Sequence, residues 1–167
     1  MASEIVDRAQ DQPLRELVIT RVFDAPRERV WRAWTEPELI KKWWGPKGFT
    51  APVTEIDARV GGRYRYYIRS ANGLEIWSTG VFREMIPMEH CIITDSFADA
   101  EGNAVPASRY GFAEGWPLEL LVDMTFEERG DKTKFTLIHS GFPTARDVAD
   151  ARTGWGEALD KLDAVLK

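Results

Sequence analysis

"RVFDAPRERVWRAWTEPELIKKWWGP", residues 21–46, leaves a strand, enters two helical segments and ends on a double tryptophan. Upstream, "LRELVITRVFDA" (Leu14–Ala25) is rich in Val, Ile and Phe and predicts a first strand. Pro26 suits the N1 position of a helix, and "PRERVWRAW" sets Val30 and Trp34 four residues apart on one helical face. Thr35 to Glu38 has the T-x-x-E spacing of a capping box, with Pro37 in the first turn, and predicts a second helix at once. Leu39, Ile40, Trp43 and Trp44 pair at i,i+4 to form its apolar stripe, which Gly45-Pro46 stops. Adjacent helical residues point about 100° apart, so Trp43 and Trp44 can hardly both be central. One would then anchor the core and the other sit at its edge. The plainer reading, that both simply fill the core, is the default.

Beyond Pro46 the pattern turns to β. "TAPVTEID" runs to a turn at Gly61-Gly62, and "RYRYYIR" alternates Arg63 and Arg65 outward against Tyr64, Tyr66 and Ile68. After a turn at Asn72-Gly73 come the strands "LEIWSTGVFREMI" and "HCIITDSF". Residues 98–117 have no periodicity and are rich in Gly, Ala and Pro. A loop of that length suggests a functional segment or disorder, and Tyr110, Phe112 and Trp116 favour one that packs on something. A last hairpin turns around Arg129-Gly130-Asp131, with Leu118, Leu120, Val122, Met124 and Phe126 on one face and Phe135, Leu137 and His139 opposite. Thr144 and Asp147 cap a final helix whose apolar residues run from Val148 through Ala151, Trp155, Leu159 and Leu162 to Leu166. About 22 residues at 1.5 Å rise would span roughly 33 Å.

The totals set bounds on function. A chain of 167 residues favours one domain, here 13–167 behind a loose polar tail over 1–12. With interspersed charges and a net charge of −5, no basic stripe points to nucleic acid. No apolar run suits a membrane span and no h-region marks a signal peptide, so the expected setting is reducing and cytoplasmic. One cysteine, Cys91, allows no internal disulfide and reads as a small buried hydrophobe.

No nucleophile elbow, H-E-x-x-H, phosphate loop or dinucleotide fingerprint is present, so no cofactor, metal or catalytic residue is assigned. Asp57, Asp95 and Asp123 fall in strands and are expected to be outward or salt-bridged. His139 shares the phase of Phe135 and Leu137 and should point inward near a strand end. A satisfied core histidine is its default, ahead of a ligand contact or general base. Tyr64, Tyr66, Trp77, Tyr110 and Trp155 can bring apolar bodies with polar tips to the inner side of the sheet, which suits an apolar pocket. Gly154 and Gly156 flank Trp155 in mid-helix at ~1 kcal/mol each relative to Ala. Close approach of helix to sheet, with cavity volume kept free beside Trp155, is the expected offset, so that alanine at either would cost ~1–3 kcal/mol by overpacking.

This order of elements resembles the helix-grip fold of the START-like (SRPBCC) superfamily, an α+β architecture in which a curved antiparallel sheet wraps around a long C-terminal helix. With the opening stretch, "VGGRYRY", "GVFREMIP", "KTKFTLIHSGFP" and "GWGEALDKLDAVL" are similar to the family named for the activator of heat-shock protein 90 ATPase, over roughly residues 14–166. The resemblance implies a hydrophobic cavity between sheet and helix, with one indole of the Trp43/Trp44 pair near its mouth and the 98–117 loop as its lid. Its candidate ligand contacts are Trp44, Tyr64, Tyr66, Trp77, Tyr110, His139, Trp155 and Leu159. The expected partner is a small hydrophobic or aromatic molecule, lipid-like or polyketide- or flavonoid-like, with no nucleic acid or membrane. The eukaryotic activator has an additional N-terminal domain for which this chain has no room, so a chaperone partner ranks second. An enzyme of cyclase or hydrolase type, using the same cavity, ranks third.

Overall fold

Strand β1 (Arg15–Phe23) leads into two short helices, α1 (Arg27–Thr35) and α2 (Pro37–Ile40). Six more strands follow: β2 (Phe49–Ile56), β3 (Arg63–Ser70), β4 (Glu75–Ile86), β5 (His90–Ala98), β6 (Leu120–Arg129) and β7 (Lys132–Phe142). Helix α3 (Ala145–Leu166) closes the chain. The strands form one antiparallel sheet in the order β1-β7-β6-β5-β4-β3-β2. The sheet is curved and, with the long helix, has the expected α+β helix-grip architecture. This computed structural model describes residues 14–167; the tail expected over 1–12 lies outside them.

Alternation sets which side chains the sheet turns inward. Leu120, Val122, Met124 and Phe126 of β6 are buried, as are Phe135, Leu137 and His139 of β7. Helix α3 lies on this face and buries Ala158, Leu159, Leu162 and Leu166. Thr144 caps it as expected, its Oγ1 accepting from the Asp147 N–H at 3.1 Å. Arginines tie it to its surroundings. Arg21 donates to the Gly156 carbonyl at 3.0 Å and to Asp160 at 2.7 Å, and Arg29 donates to the Leu166 carbonyl at 2.7 Å. The last of these satisfies a carbonyl the helix end leaves open.

The two short helices differ from expectation in their caps. Pro26 is the N-cap of α1, one position before N1, and no capping box forms. Thr35 still belongs to α1 and its hydroxyl donates to the Trp31 carbonyl at 2.9 Å. Glu36 is the break: it is extended at φ −96, ψ 122 because the proline after it disfavours the helical basin. Helix α2 is also shorter than its stripe. It ends at Ile40, and Trp43 and Trp44 follow in turns whose N–H groups both bond the Ile40 carbonyl.

A bulge near the end of β7 turns one more aromatic side chain inward. Ser140 pairs with Glu16 and Phe142 with Arg15, so Gly141 is the extra residue, at φ +116. Without it Phe142 would face outward. With it, Phe142 is buried against His139, ring centroids 4.6 Å apart. Cys91 lies in the core, and burial pushes its thiol up to about 12, which makes it a protonated small hydrophobe.

Candidate functional site

Between the inner face of the sheet and the N-terminal half of α3 lies a cavity of about 330 Å³. Trp44, Gly45 and Pro46 form one side, and Phe112, Trp116 and Pro117 of the long loop form another. Its depth is set by Asp95 and Phe97 of β5, His139 and Phe142 of β7, and Trp155 and Ala158 of α3.

The walls are held in place by identifiable contacts. Lys161 of α3 spreads its ammonium over the carbonyls of Trp44, Pro46 and Phe49 at 3.3–3.4 Å, which fixes the segment carrying Trp44. Burial lowers its pKa. The long loop is ordered by Tyr110, whose hydroxyl donates to the Ala98 carbonyl at 2.6 Å and accepts from the Trp77 N–H at 3.2 Å. Its aromatics then pack in a chain: Phe97 on Phe112, Phe112 on Trp116, and Trp116 edge-on to Phe142.

One line of polar groups crosses this apolar space. The Trp155 indole N–H donates to His139 Nδ1 at 3.0 Å. Indole can only donate, so Nδ1 is an acceptor and the imidazole carries its proton on Nε2. That Nε2 lies 3.1 Å from Asp95 Oδ2, yet the alignment is poor and Nε2 has no hydrogen-bond partner. Distance alone would score an ion pair, but the angle decides a hydrogen bond, and this contact lacks one. Tyr64 stands beyond Asp95. Its hydroxyl donates to the Thr94 carbonyl at 2.8 Å and is 3.3 Å from Asp95 Oδ1. Burial, with Asp95 next, raises the Tyr64 pKa well above its ordinary value, so the phenol stays protonated.

Of the eight candidate contacts, Trp44, His139 and Trp155 line the cavity. Trp43 is fully buried and donates to the Ala33 carbonyl, whereas Trp44 is half-buried and faces the cavity, so the pair is divided between core and edge. Tyr66 is buried behind Trp44, beside a void of about 20 Å³, and burial raises its pKa too. Leu159 is core under the helix, and Tyr110 supports the wall from behind. Trp77 is a correction. It pairs with outward Tyr67, stacks on it at 4.7 Å and lies under Arg65 on the outer face, because Ser78 takes the inward phase. Sequence reasoning passed over Asp95, Phe97, Phe112, Trp116 and Phe142 as contacts. Asp95 shares its strand phase with buried Cys91 and Ile93, which was the available signal. Of the other two aspartates, Asp57 is salt-bridged to Arg59, and Asp123 is hydrogen-bonded to His90 Nε2 at 2.8 Å.

Gly154 lines the cavity beside Trp155 and Gly156 does not, but the close approach expected of both is corrected. A Cβ on Gly154 would lie 3.8 Å from Pro46 Cγ, and one on Gly156 3.9 Å from Arg21 Nη2. Both are ordinary contacts, so no close approach requires glycine. Gly154→Ala and Gly156→Ala are each expected to stabilise the protein by up to ~1 kcal/mol through helix propensity. Urea unfolding of the two variants checks this, and a loss at either would restore the overpacking account.

Among the described residues no group of acidic, histidine or cysteine side chains is placed to hold a metal, and no helix is long and apolar enough to cross a membrane. The fold has close relatives among solved structures. A Chromobacterium violaceum protein superposes with a TM-score of 0.75 at 30% identity, over 90% of this chain and 96% of that one. A protein from Arthrobacter aurescens gives 0.73 at 27% identity, over 90% and 85%. A protein from Silicibacter pomeroyi gives 0.72 over 90% and 96%, and at 20% identity it speaks to the fold alone. No curated protein matches the sequence. The model of the family described as activator of Hsp90 ATPase homolog 1-like protein matches residues 24–167, which takes in both short helices, every cavity wall and the whole of α3. The chain belongs to that family.

Proposed function

We propose that the chain reversibly binds a small hydrophobic or aromatic molecule, lipid-like or polyketide- or flavonoid-like, in the cavity between sheet and helix. The observation that carries this reading is the cavity itself: about 330 Å³, walled by Trp44, Phe97, Phe112, Trp116, Phe142 and Trp155. That combination of volume, aromatic lining and a few polar groups is the usual form of a small-molecule site. Titrating flat apolar compounds while following backbone amide resonances tests it. Shifts are expected at Trp44, Trp116, His139 and Trp155. Shifts confined to the outer face, around Tyr67 and Trp77, would count against it.

The family's name supports a second reading, action on a heat-shock chaperone. Adding this chain to the chaperone and measuring its ATPase rate separates the two. Stimulation that survives filling of the cavity would favour the chaperone. Among the described residues no set supports catalysis over binding, and the composition supports a cytoplasmic setting.

A further inference from the structure

We infer that the cavity selects a neutral ring compound bearing a hydroxyl group, which lodges between Asp95 and His139, donating to the carboxylate and accepting from Nε2–H. This rests on the proposed binding function and adds the chemistry the ligand must have.

A buried donor without a partner lies beside a carboxylate that is 32% exposed and held by one long hydrogen bond. His139 has only 8% of its side chain exposed, and its Nε2 has no hydrogen-bond partner. The tautomer is set by Trp155 at the other nitrogen, so the unmet group is a donor. Asp95 is an acceptor in the same cavity, and no short hydrogen bond holds it: Tyr64 spends its 2.8 Å bond on the Thr94 carbonyl and stays 3.3 Å from Oδ1. A carboxylate so loosely held can turn about its Cα–Cβ bond and open Nε2 to a ligand oxygen.

Chemistry then narrows the ligand. A hydroxyl both donates and accepts, so one oxygen can satisfy Nε2–H and still donate to the carboxylate. An ether cannot donate to Asp95. An ammonium cannot accept and would leave Nε2–H facing a cation. A carboxylate would accept from His139 but would meet Asp95, and Asp147 and Asp150 at the rim, with no lysine or arginine among the described residues lining the cavity. Like charges in a partly desolvated site repel strongly. The aromatic walls supply the rest of the affinity and suit a flat ring system.

The test is calorimetric titration of the full chain with naphthalene, 2-naphthol, 2-methoxynaphthalene, 2-naphthoate and 2-naphthylmethylamine. 2-Naphthol is expected to bind about tenfold or more tightly than its methyl ether, the effect of leaving buried polar partners unpaired. Asp95→Ala and His139→Phe should each bring that ratio close to one, with naphthalene titrated against each variant to report the change in the wall itself. A purely structural pair would lower the unfolding midpoint in both variants and leave the ratio alone, which overturns the inference. Equal binding of 2-naphthol and its ether to the wild type overturns it while leaving the cavity reading intact. Tightest binding of the acid or the amine also overturns it. If none of the five binds, the inference and the cavity reading fail together.

Discussion

Trp43→Ala is expected to cost about 3–5 kcal/mol of stability, the range for truncating a fully buried large aromatic. Trp43 has no exposed surface, packs edge-on against Trp34 at 4.6 Å and donates its indole N–H to the Ala33 carbonyl at 2.9 Å. Truncation removes the packing, opens a cavity and strands a buried carbonyl. Its neighbour should behave differently. Trp44 touches Trp34, Tyr66 and Trp155 but stands between the larger cavity and the small inner void, lining both. Trp44→Ala joins the two spaces, so it should lose less stability and change ligand affinity more. Urea unfolding of both variants checks the division. Equal stability losses would mean that both indoles are simply core, the plainer reading of the double tryptophan.

How far the sequence speaks for itself varies with the kind of signal. Period-two alternation is reliable where large apolar residues hold one phase, as in β6 and β7, and it places His139 inward. It fails in β4, where the inward phase reads Ile76, Ser78, Gly80, Phe82. A serine and a glycine on the core side hide that phase, so the conspicuous Trp77 reads as inward when it lies outside. In β5 the phase of Cys91 and Ile93 carries Asp95 into the cavity, but the general tendency of aspartate to face water outweighs the pattern. Phe142 is out of reach for a different reason. The bulge at Gly141 resets the alternation by one residue, and a lone glycine in a strand does not say which way the count will slip. The glycines in α3 mislead in the opposite sense. A residue unfavourable in a helix invites a packing explanation, and the contacts at Gly154 and Gly156 show that none is needed.

Gly80 is a glycine that the fold does require, and Gly80→Ala is expected to cost about 3 kcal/mol or more, through overpacking and broken hydrogen bonds together. Its φ is not unusual; the constraint is what lies over it. A Cβ would fall 2.0 Å from the Thr94 carbonyl oxygen and 2.4 Å from the Tyr64 ring. Tyr64 is the cross-strand partner of Gly80, and its ring crosses the glycine to reach β5, where the hydroxyl donates to Thr94. Side chains complete the sheet here. Between the Thr79–Ser96 and Phe82–Ile93 pairs, the Val81 N–H bonds Thr94 Oγ1 and the Thr94 carbonyl takes the Tyr64 hydroxyl. An added methyl must lift the ring or push β5 away. Overpacking costs ~1–3 kcal/mol, and stranding the buried carbonyl and hydroxyl adds about 1–3 kcal/mol. Either displacement also disturbs Asp95, the next residue along, so ligand binding should weaken with stability. Urea unfolding of Gly80→Ala, alone and combined with Tyr64→Ala, separates the two obstacles. A cost that shrinks in the double variant assigns the clash to the ring, and one that persists assigns it to the Thr94 carbonyl. A single variant within about 0.5 kcal/mol of wild type, the range of an ordinary surface change, would show that Tyr64 is not laid across Gly80 and that Asp95 is positioned by other means.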